Sequence, residues 1–135
     1  MKKQLLSIGI LAAIFTVVSI VVCGEVPRAA EGRTQKLLRH VVLIKFKADV
    51  TEAQICEVTE AFGTLRKKIN TIQDFEWGTD VSPEKKADGF THCFLVTFHS
   101  AADRDAYLPH QAHQDFVKIA GPRIDKVLVV DYWAQ

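Results

Sequence analysis

The sequence predicts an α+β fold for residues 38–135: a ferredoxin-like antiparallel sheet with helices on one face. Two observations lead to this prediction. Apolar residues alternate between a period of two and a period near 3.6, in the order β-α-β-β-α-β. Residues that begin or end helices stand where the period changes. A chain of 135 residues is also of a size that forms one hydrophobic core.

An apolar segment precedes this domain. Lys2 and Lys3 come before residues 5–23, which carry no charge, as is typical of a secretory signal peptide. The run also approaches the ~20 residues that span a bilayer as a helix. In a lipoprotein signal Cys23 would be the site of lipid attachment, although Val22 is bulky where such a signal has a small residue. Residues 1–24 are therefore predicted to be a cleaved signal peptide, a membrane anchor or a lipoprotein signal. Each alternative exports the domain, and membrane contact is predicted only through this segment if it is retained.

The first strand and helix follow a polar tether. The tether is residues 25–37, which are polar and contain a proline and a glycine. Residues 39–47 alternate between two faces and predict a strand. Thr51 and Gln54 form the pattern of a capping box, and they begin a helix that extends to about residue 69.

A hairpin and a short helix come next. Residues 75–81 and 91–99 are predicted strands, joined by a charged loop. Ser100 with Asp103 begins a short helix, and Pro109 ends it.

The C-terminal part contains one more helix and one more strand. The helix is predicted from about His110 to Ala120, where Gly121 and Pro122 stop it. Residues 126–133 form the last strand. Both faces of the predicted strands are apolar, whereas a sheet covered on one side shows cleaner alternation. The face without helices is therefore predicted to pack against a second copy in a symmetric homodimer.

The two histidines of the third helix are not equivalent. His113 lies inside the apolar arc and faces the sheet, whereas His110 lies at the boundary of that arc. A buried imidazole needs a hydrogen-bond partner, and Asp131 on the last strand is one candidate. Antiparallel pairing also makes His40 a neighbour of Asp131 and sends His92 toward the opposite end of the sheet.

This cluster has two interpretations that the sequence leaves open. A histidine oriented by a carboxylate in an apolar cavity is a general base, and Tyr107 would present its hydroxyl as a proton donor. The same residues also fit a satisfied polar network that only stabilises the fold.

Several function classes are excluded. The net charge is +1 with acids and bases interspersed, which argues against nucleic-acid binding. Phosphate-binding glycine motifs and a GxSxG elbow are missing. His110 and His113 lack further ligands, so no metal and no cofactor are predicted. Cys56 and Cys93 are predicted to be partly buried thiols, although export permits a disulfide between them.

Five segments together resemble the stress-responsive A/B barrel (Dabb) family: RHVVLIKFK, WGTDV, GFTHCFLVTFHS, YLPHQAH and VVDYW. They keep the order and spacing of the family over residues 38–133. The resemblance implies ferredoxin-like monomers that pair through their sheets into a dimeric α+β barrel.

The resemblance extends to plant polyketide cyclases within the family. It implies an acid/base tyrosine at Tyr107, a catalytic histidine at His113 with its orienting aspartate at Asp131, and further pocket histidines at His40 and His92. The other predicted ligand-binding positions are Val42, Ile44, Phe62, Phe116 and Val117. Val117 stands where those cyclases have a glycine, so it should narrow the pocket.

Two functions follow from this comparison. The preferred one is an exported homodimeric module that binds a small apolar or aromatic molecule or acts in stress protection, because no residue identifies a substrate. The alternative is a cofactor-independent acid/base enzyme of the cyclase, lyase or isomerase type.

Overall fold

The computed structural model describes residues 36–135. The predicted leader at 1–24, and the predicted tether up to residue 35, lie outside the described residues. Among the described helices, none is both long enough and apolar enough to cross a membrane. In chain order the elements are β1 (Leu38–Phe46), α1 (Glu52–Lys68), β2 (Asp74–Thr79), β3 (His92–Phe98), α2 (Ala101–Tyr107), α3 (Gln111–Ala120), a 3₁₀ turn (Gly121–Arg123) and β4 (Ile124–Trp133).

The four strands form one antiparallel sheet in the order β2-β3-β1-β4. This is the ferredoxin-like arrangement, so the predicted fold class is confirmed. The last strand begins two residues earlier than the sequence pattern predicts. Ile124 already pairs with Phe46, after a register shift at Lys45, because the chain enters β4 directly from the 3₁₀ turn.

The predicted helix starts are present as hydrogen bonds. The backbone N–H of Gln54 donates to the Thr51 hydroxyl at 3.3 Å, and the Thr51 N–H donates to the Gln54 side chain at 2.9 Å. At the start of α2, the Asp103 N–H donates to the Ser100 hydroxyl at 3.1 Å. These contacts satisfy backbone donors that have no partner within the helix.

The core lies between the helices and one face of the sheet, here called the inner face. Along β1 the inner residues are buried and alternate with half-buried ones. Phe62 of α1 packs on Phe94 of β3 and on Phe116 of α3, with ring centroids 4.7 and 4.4 Å apart. Truncating a buried phenylalanine such as Phe62 to alanine typically costs about 3–5 kcal/mol. This aromatic cluster fixes α1 and α3 against the sheet.

The opposite, outer face of the sheet carries apolar side chains that no described helix covers. Alternation along β1 and β4 assigns Val41, Leu43, Leu128, Val130 and Tyr132 to this face. The three β4 residues are each 45–47% exposed. Such a contiguous apolar surface marks an interaction site.

The cysteine prediction needs a correction. Cys56 and Cys93 are free thiols and both are exposed, rather than partly buried. Cys93 points to the outer face of β3, because its inner neighbours His92 and Phe94 alternate with it.

Candidate ligand cavity and its polar end

A cavity of about 520 Å³ lies between the inner face of the sheet and the helices. Strands β1 and β4 form one wall, and residues from all three helices form the other. Every residue that the sequence predicted for the pocket lines this cavity except His92. The matching residues are Tyr107, His113, Asp131, His40, Val42, Ile44, Phe62, Phe116 and Val117.

Most of the cavity wall is apolar. The helix side contributes Phe116 and Val117, and the sheet side contributes Val42, Val127 and Val129. Val117 is 44% exposed, so its side chain borders open space rather than the packed core. This volume is within the usual range of small-molecule sites, which are mainly apolar with a few polar groups.

The polar groups gather at one end of the cavity, where β1 pairs with β4. His40 and Asp131 are directly opposite in the antiparallel register, as the sequence predicted. The His40 Nδ1–H donates to Asp131 Oδ1 at 2.6 Å, and the Arg104 guanidinium donates to Asp131 Oδ2. Both carboxylate oxygens of Asp131 are therefore occupied. Burial raises the pKa of Asp131, but the hydrogen bonds from His40 and Arg104 outweigh it and hold the pKa below its usual value.

His113 is held by a backbone group. Its Nδ1–H donates to the Leu108 carbonyl at 2.9 Å. Burial lowers the pKa of His113, and nearby His40 and His110 lower it further, against the Leu108 hydrogen bond that raises it. In the neutral imidazole that burial favours, Nδ1 carries the proton, so the lone pair lies on Nε2.

The predicted contact between His113 and Asp131 needs a correction. Both residues line the cavity, but the carboxylate binds His40 and Arg104 instead. The physical reason is the register, which places Asp131 opposite His40, while α3 starts beside the end of α2 and offers His113 the Leu108 carbonyl.

Tyr107 lies between the two histidines. Its ring centroid is 4.3 Å from that of His113 and 5.9 Å from that of His40. The side chain is fully buried, and within residues 36–135 its hydroxyl has no hydrogen-bond partner. Burial raises the pKa of Tyr107, so the hydroxyl keeps its proton, and the Tyr107 side chain is part of the cavity wall. A buried hydroxyl without a partner costs free energy, and a ligand oxygen would remove that cost.

His92 is the predicted pocket residue that lies elsewhere. Strand β3 runs antiparallel to β1, so His92 pairs with Ile44, far along the strand from His40. It borders a separate pocket of about 400 Å³, with Thr79, Phe90 and Cys93.

Arg104 was missed by the sequence reasoning. It lies one helical turn before Tyr107, so the two side chains share a face of α2. The i, i+3 spacing of Arg104 and Tyr107 was the signal in the sequence that both belong to one site. It was missed because the charged residues of a short helix are usually exposed to solvent. The strand order that brings Asp131 within reach of Arg104 came only from the fold.

The donor set at this site does not fit a metal. Within the described part of the chain, no group of three or more histidine, cysteine or acidic side chains is arranged to hold an ion. The ring of His110, for example, caps α3 by accepting the Ala112 N–H at 3.1 Å.

Residues 38–134 match the Stress responsive A/B Barrel Domain family, which covers more than half of the chain. The chain belongs to the Dabb family. Its similarity to the stress-response A/B barrel domain-containing protein HS1 of Arabidopsis thaliana is 39% identity over 95 residues, covering 70% of this chain and 87% of that protein. Its similarity to olivetolic acid cyclase of Cannabis sativa is 35% identity over 95 residues, covering 70% of this chain and 94% of the cyclase.

Solved structures of Dabb-like proteins share the fold. A hydroxynitrile lyase from Passiflora edulis superposes with a TM-score of 0.71 at 31% identity, covering 75% of this chain and 95% of the lyase. A dimeric ferredoxin-like protein of unknown function from Jannaschia sp. CCS1 superposes with a TM-score of 0.64 at 26% identity, covering 71% of this chain and 97% of that protein. The family therefore contains both stress-response proteins and enzymes.

Proposed function

We propose that this Dabb protein is an exported homodimer that binds a small, mostly apolar molecule in the cavity between its sheet and helices. The observation that carries the proposal is the Tyr107 side chain, which lines a cavity of about 520 Å³ while its buried hydroxyl has no partner among the described residues. A structural network would satisfy such a group internally. A ligand oxygen that accepts from this hydroxyl would satisfy it instead.

The composition of the wall specifies the kind of ligand. The long walls are aliphatic and aromatic, and polar side chains are confined to the end that holds His40, Asp131 and Tyr107. A matching molecule has an apolar or aromatic body with oxygen at one end. The desolvated apolar area supplies affinity, and the polar groups fix the orientation.

The test varies the width of the cavity at Val117. An alkyl-substituted phenol series of increasing chain length is titrated into the full chain by isothermal calorimetry. Val117→Gly should shift the preference toward longer members, and Val117→Trp should weaken all of them by about tenfold or more, because the indole fills the cavity. If wild type binds the phenols and neither substitution at Val117 alters that binding, the ligand does not bind in this cavity.

Val81→Trp is the matched control. Val81 is 90% exposed and does not line the cavity, so the same substitution there should leave the affinities unchanged.

The homodimer is supported by the uncovered apolar outer face. Leu128, Val130 and Tyr132 expose nearly half of their side chains on a single strand, and the Jannaschia protein of the same fold is dimeric. Multi-angle light scattering of the full chain at micromolar concentration should give twice the monomer mass. Leu128→Lys should reduce that mass, because burying an unpaired ammonium in the interface is unfavourable. A monomeric wild type would contradict the dimer.

Export rests on the apolar, uncharged run at residues 5–23 behind two lysines. Fractionation of cells expressing the full chain should place the domain outside the cytoplasm, and a cytoplasmic protein would contradict export.

A second candidate function, acid/base catalysis, is favoured by the pair of Tyr107 and His113. Neutral His113 offers the Nε2 lone pair as a base, and Tyr107 offers its hydroxyl as a proton donor. The centroids of the two rings are 4.3 Å apart. A base beside a fixed hydrogen-bond donor suits proton abstraction next to a carbonyl, with the hydroxyl stabilising the enolate oxygen. Two similar proteins are named as a cyclase and a lyase.

Hydrogen–deuterium exchange separates catalysis from binding. In D₂O the full chain should speed the exchange of the α-protons of 4-phenylbutan-2-one for deuterium. Proton NMR measures this rate as the loss of the α-proton signal. His113→Gln should lower that rate by about 10²–10⁴-fold while the ketone still binds. Exchange no faster than in buffer would leave binding as the function.

A further inference from the structure

The outer face of the sheet carries an arginine and a glutamate beside its apolar side chains. Arg39 lies on this face because its two neighbours in β1 are buried on the inner one. Glu76 lies on it because both of its neighbours in β2 pack beside inner Phe94, with ring centroids 6.3 and 5.8 Å away. The Arg39 guanidinium donates to the Thr97 hydroxyl, which is a neutral partner, and the Glu76 side chain is exposed.

The other charged side chains that the strands place on this face already have ionic partners. These ion pairs are Asp74 with Arg66 at 2.9 Å, Lys45 with Asp125 at 3.0 Å, and Lys126 with Asp88 at 3.9 Å. Within residues 36–135, Arg39 and Glu76 are therefore the cation and the anion of the outer face that form no ion pair.

Arg39 and Glu76 are too far apart to pair within one chain. Strand β3 lies between β2 and β1, so the backbones that carry the two residues are about 10 Å apart. They are also offset along the strands, because Glu76 is opposite Leu95 of β3 whereas Arg39 is opposite Thr97. A second copy of the chain, packed on the same face, can bring the two charges together.

We propose that the outer face binds a second copy in a register set by Arg39 of one chain and the partner's Glu76. This inference rests on the proposed homodimer and names the contacts that orient it. A two-fold interface repeats each contact, so Glu76 of the first chain meets the partner's Arg39 as well. Covering the apolar face removes water from Arg39, and a charge left there without a counter-ion is unfavourable. The pair supplies that counter-ion and disfavours other registers.

The shape of the outer face leaves room for this contact. A hollow of about 390 Å³ is bordered by Glu76, Leu95, Val41 and Tyr132. Gly78 also borders it, and a Cβ atom there would meet no atom within 4 Å. The long side chain of the partner's Arg39 can enter this space beside Glu76. The midpoint between the two charges lies over β3, so the two-fold axis passes near Leu95 and places apolar side chains between the two ion pairs.

Charge reversal tests the pair, with the full chain and sedimentation velocity over a dilution series. Arg39→Glu and Glu76→Arg each create two contacts between like charges, so each should raise the Kd of the dimer by about 10²-fold or more. An equal mixture of the two variants should recover most of the wild-type affinity, because both contacts of the mixed dimer join opposite charges. The double variant Arg39→Glu/Glu76→Arg should recover it as well.

Glu60→Arg is the matched control. Glu60 is exposed on α1, on the helical side of the sheet, so reversing its charge should leave the Kd of the dimer unchanged. Circular dichroism checks that each variant is folded. If Arg39→Glu does not fold, Arg39→Gln replaces it, and its mixture with Glu76→Arg should recover part of the affinity, because one of the two contacts still joins opposite charges.

The failures of the pair and of the homodimer are distinguishable. A wild-type chain that stays monomeric overturns the proposed homodimer. A dimeric wild type whose Kd neither reversal changes overturns the role of Arg39 and Glu76. If both reversals weaken the dimer but mixing restores nothing, the two residues lie in the interface without contacting each other, and the proposed register is wrong.

Discussion

The two ends of the inner sheet face each present a histidine, and the two sites differ in what surrounds the ring. His40, at the β4 side, donates to the Asp131 carboxylate at 2.6 Å and is nearly buried beside a cavity. His92, near the opposite end, stacks on Trp77 with centroids 6.1 Å apart and meets the edge of Phe46 at 5.0 Å. One histidine belongs to an ionic network, and the other is part of an aromatic cluster.

The difference comes from the neighbouring strands. Both histidines lie on the inner face of the sheet. His40 is in β1 and His92 is in β3, and these two strands pair with each other. Strand β4 brings a carboxylate opposite His40, whereas β2 brings Thr79 opposite His92, with Trp77 two residues away. The residue across the ladder, rather than the histidine itself, therefore determines which histidine is paired with a carboxylate.

The largest expected effect is at the His40 end. Asp131→Ala removes the shared partner of His40 and Arg104 and leaves two partly buried donors without it. We expect the free energy of unfolding to fall by about 2–3 kcal/mol, less than for a fully buried pair because Asp131 retains some exposure. Urea denaturation at fixed protein concentration measures this change.

Asp125→Ala is the control on the same strand. Its carboxylate pairs with Lys45 at 3.0 Å, with both side chains largely in solvent, so the loss should stay below about 1 kcal/mol. Equal losses for the two variants would show that the Asp131 network contributes no more than a surface ion pair.

The sequence predicted this end of the sheet well for a physical reason. A period of two in β1 and β4, together with antiparallel pairing, fixes which residues lie opposite each other, so the pairing of His40 with Asp131 followed from the pattern alone. The same logic placed His92 at the far end. The position of His113 inside the apolar arc of α3 likewise followed from helical periodicity, and His113 lines the cavity.

The sequence predicted hydrogen-bond partners less well. The partner of His113 is a main-chain carbonyl at Leu108, and every residue carries such a group, so no pattern of side chains reveals it. The role of Arg104 depends on how α2 lies across β4, which periodicity does not determine. The cavity volume also depends on three-dimensional packing and has no counterpart in the sequence.

The pH dependence of stability separates the two ends further. Burial lowers the pKa of both His92 and His113 in the folded state. Near pH 6.5 the unfolded chain therefore binds protons at these two histidines that the folded chain does not bind. Their contribution to the free energy of unfolding is complete above about pH 6.5 and is lost as pH falls through their folded pKa values. Asp131, whose folded pKa is also lowered, stabilises above about pH 4 and loses that contribution only in stronger acid.

Thermal melting between neutral pH and about pH 5 should therefore show a falling Tm while Asp131 stays ionised. His113→Gln and His92→Phe should each flatten this slope. Asp131→Asn should lower the Tm throughout this range and leave the slope in place, and it should remove only the further loss of stability below about pH 4. A slope that neither histidine variant changes would assign the acid sensitivity to other groups.

The smallest expected effect is at the His92 end. His92→Phe loses one hydrogen bond between Nδ1 and the Thr91 hydroxyl, at 2.9 Å in an exposed position, and keeps an aromatic ring against Trp77 and Phe46. The free energy of unfolding at neutral pH should change by less than about 1 kcal/mol. Affinity for the alkylphenols should not change, because His92 does not line the ligand cavity. A weakened affinity would show that His92 influences the ligand bound near His40. Because the register separates the two histidines along the sheet, that influence would have to pass through the sheet itself or through a second copy of the chain.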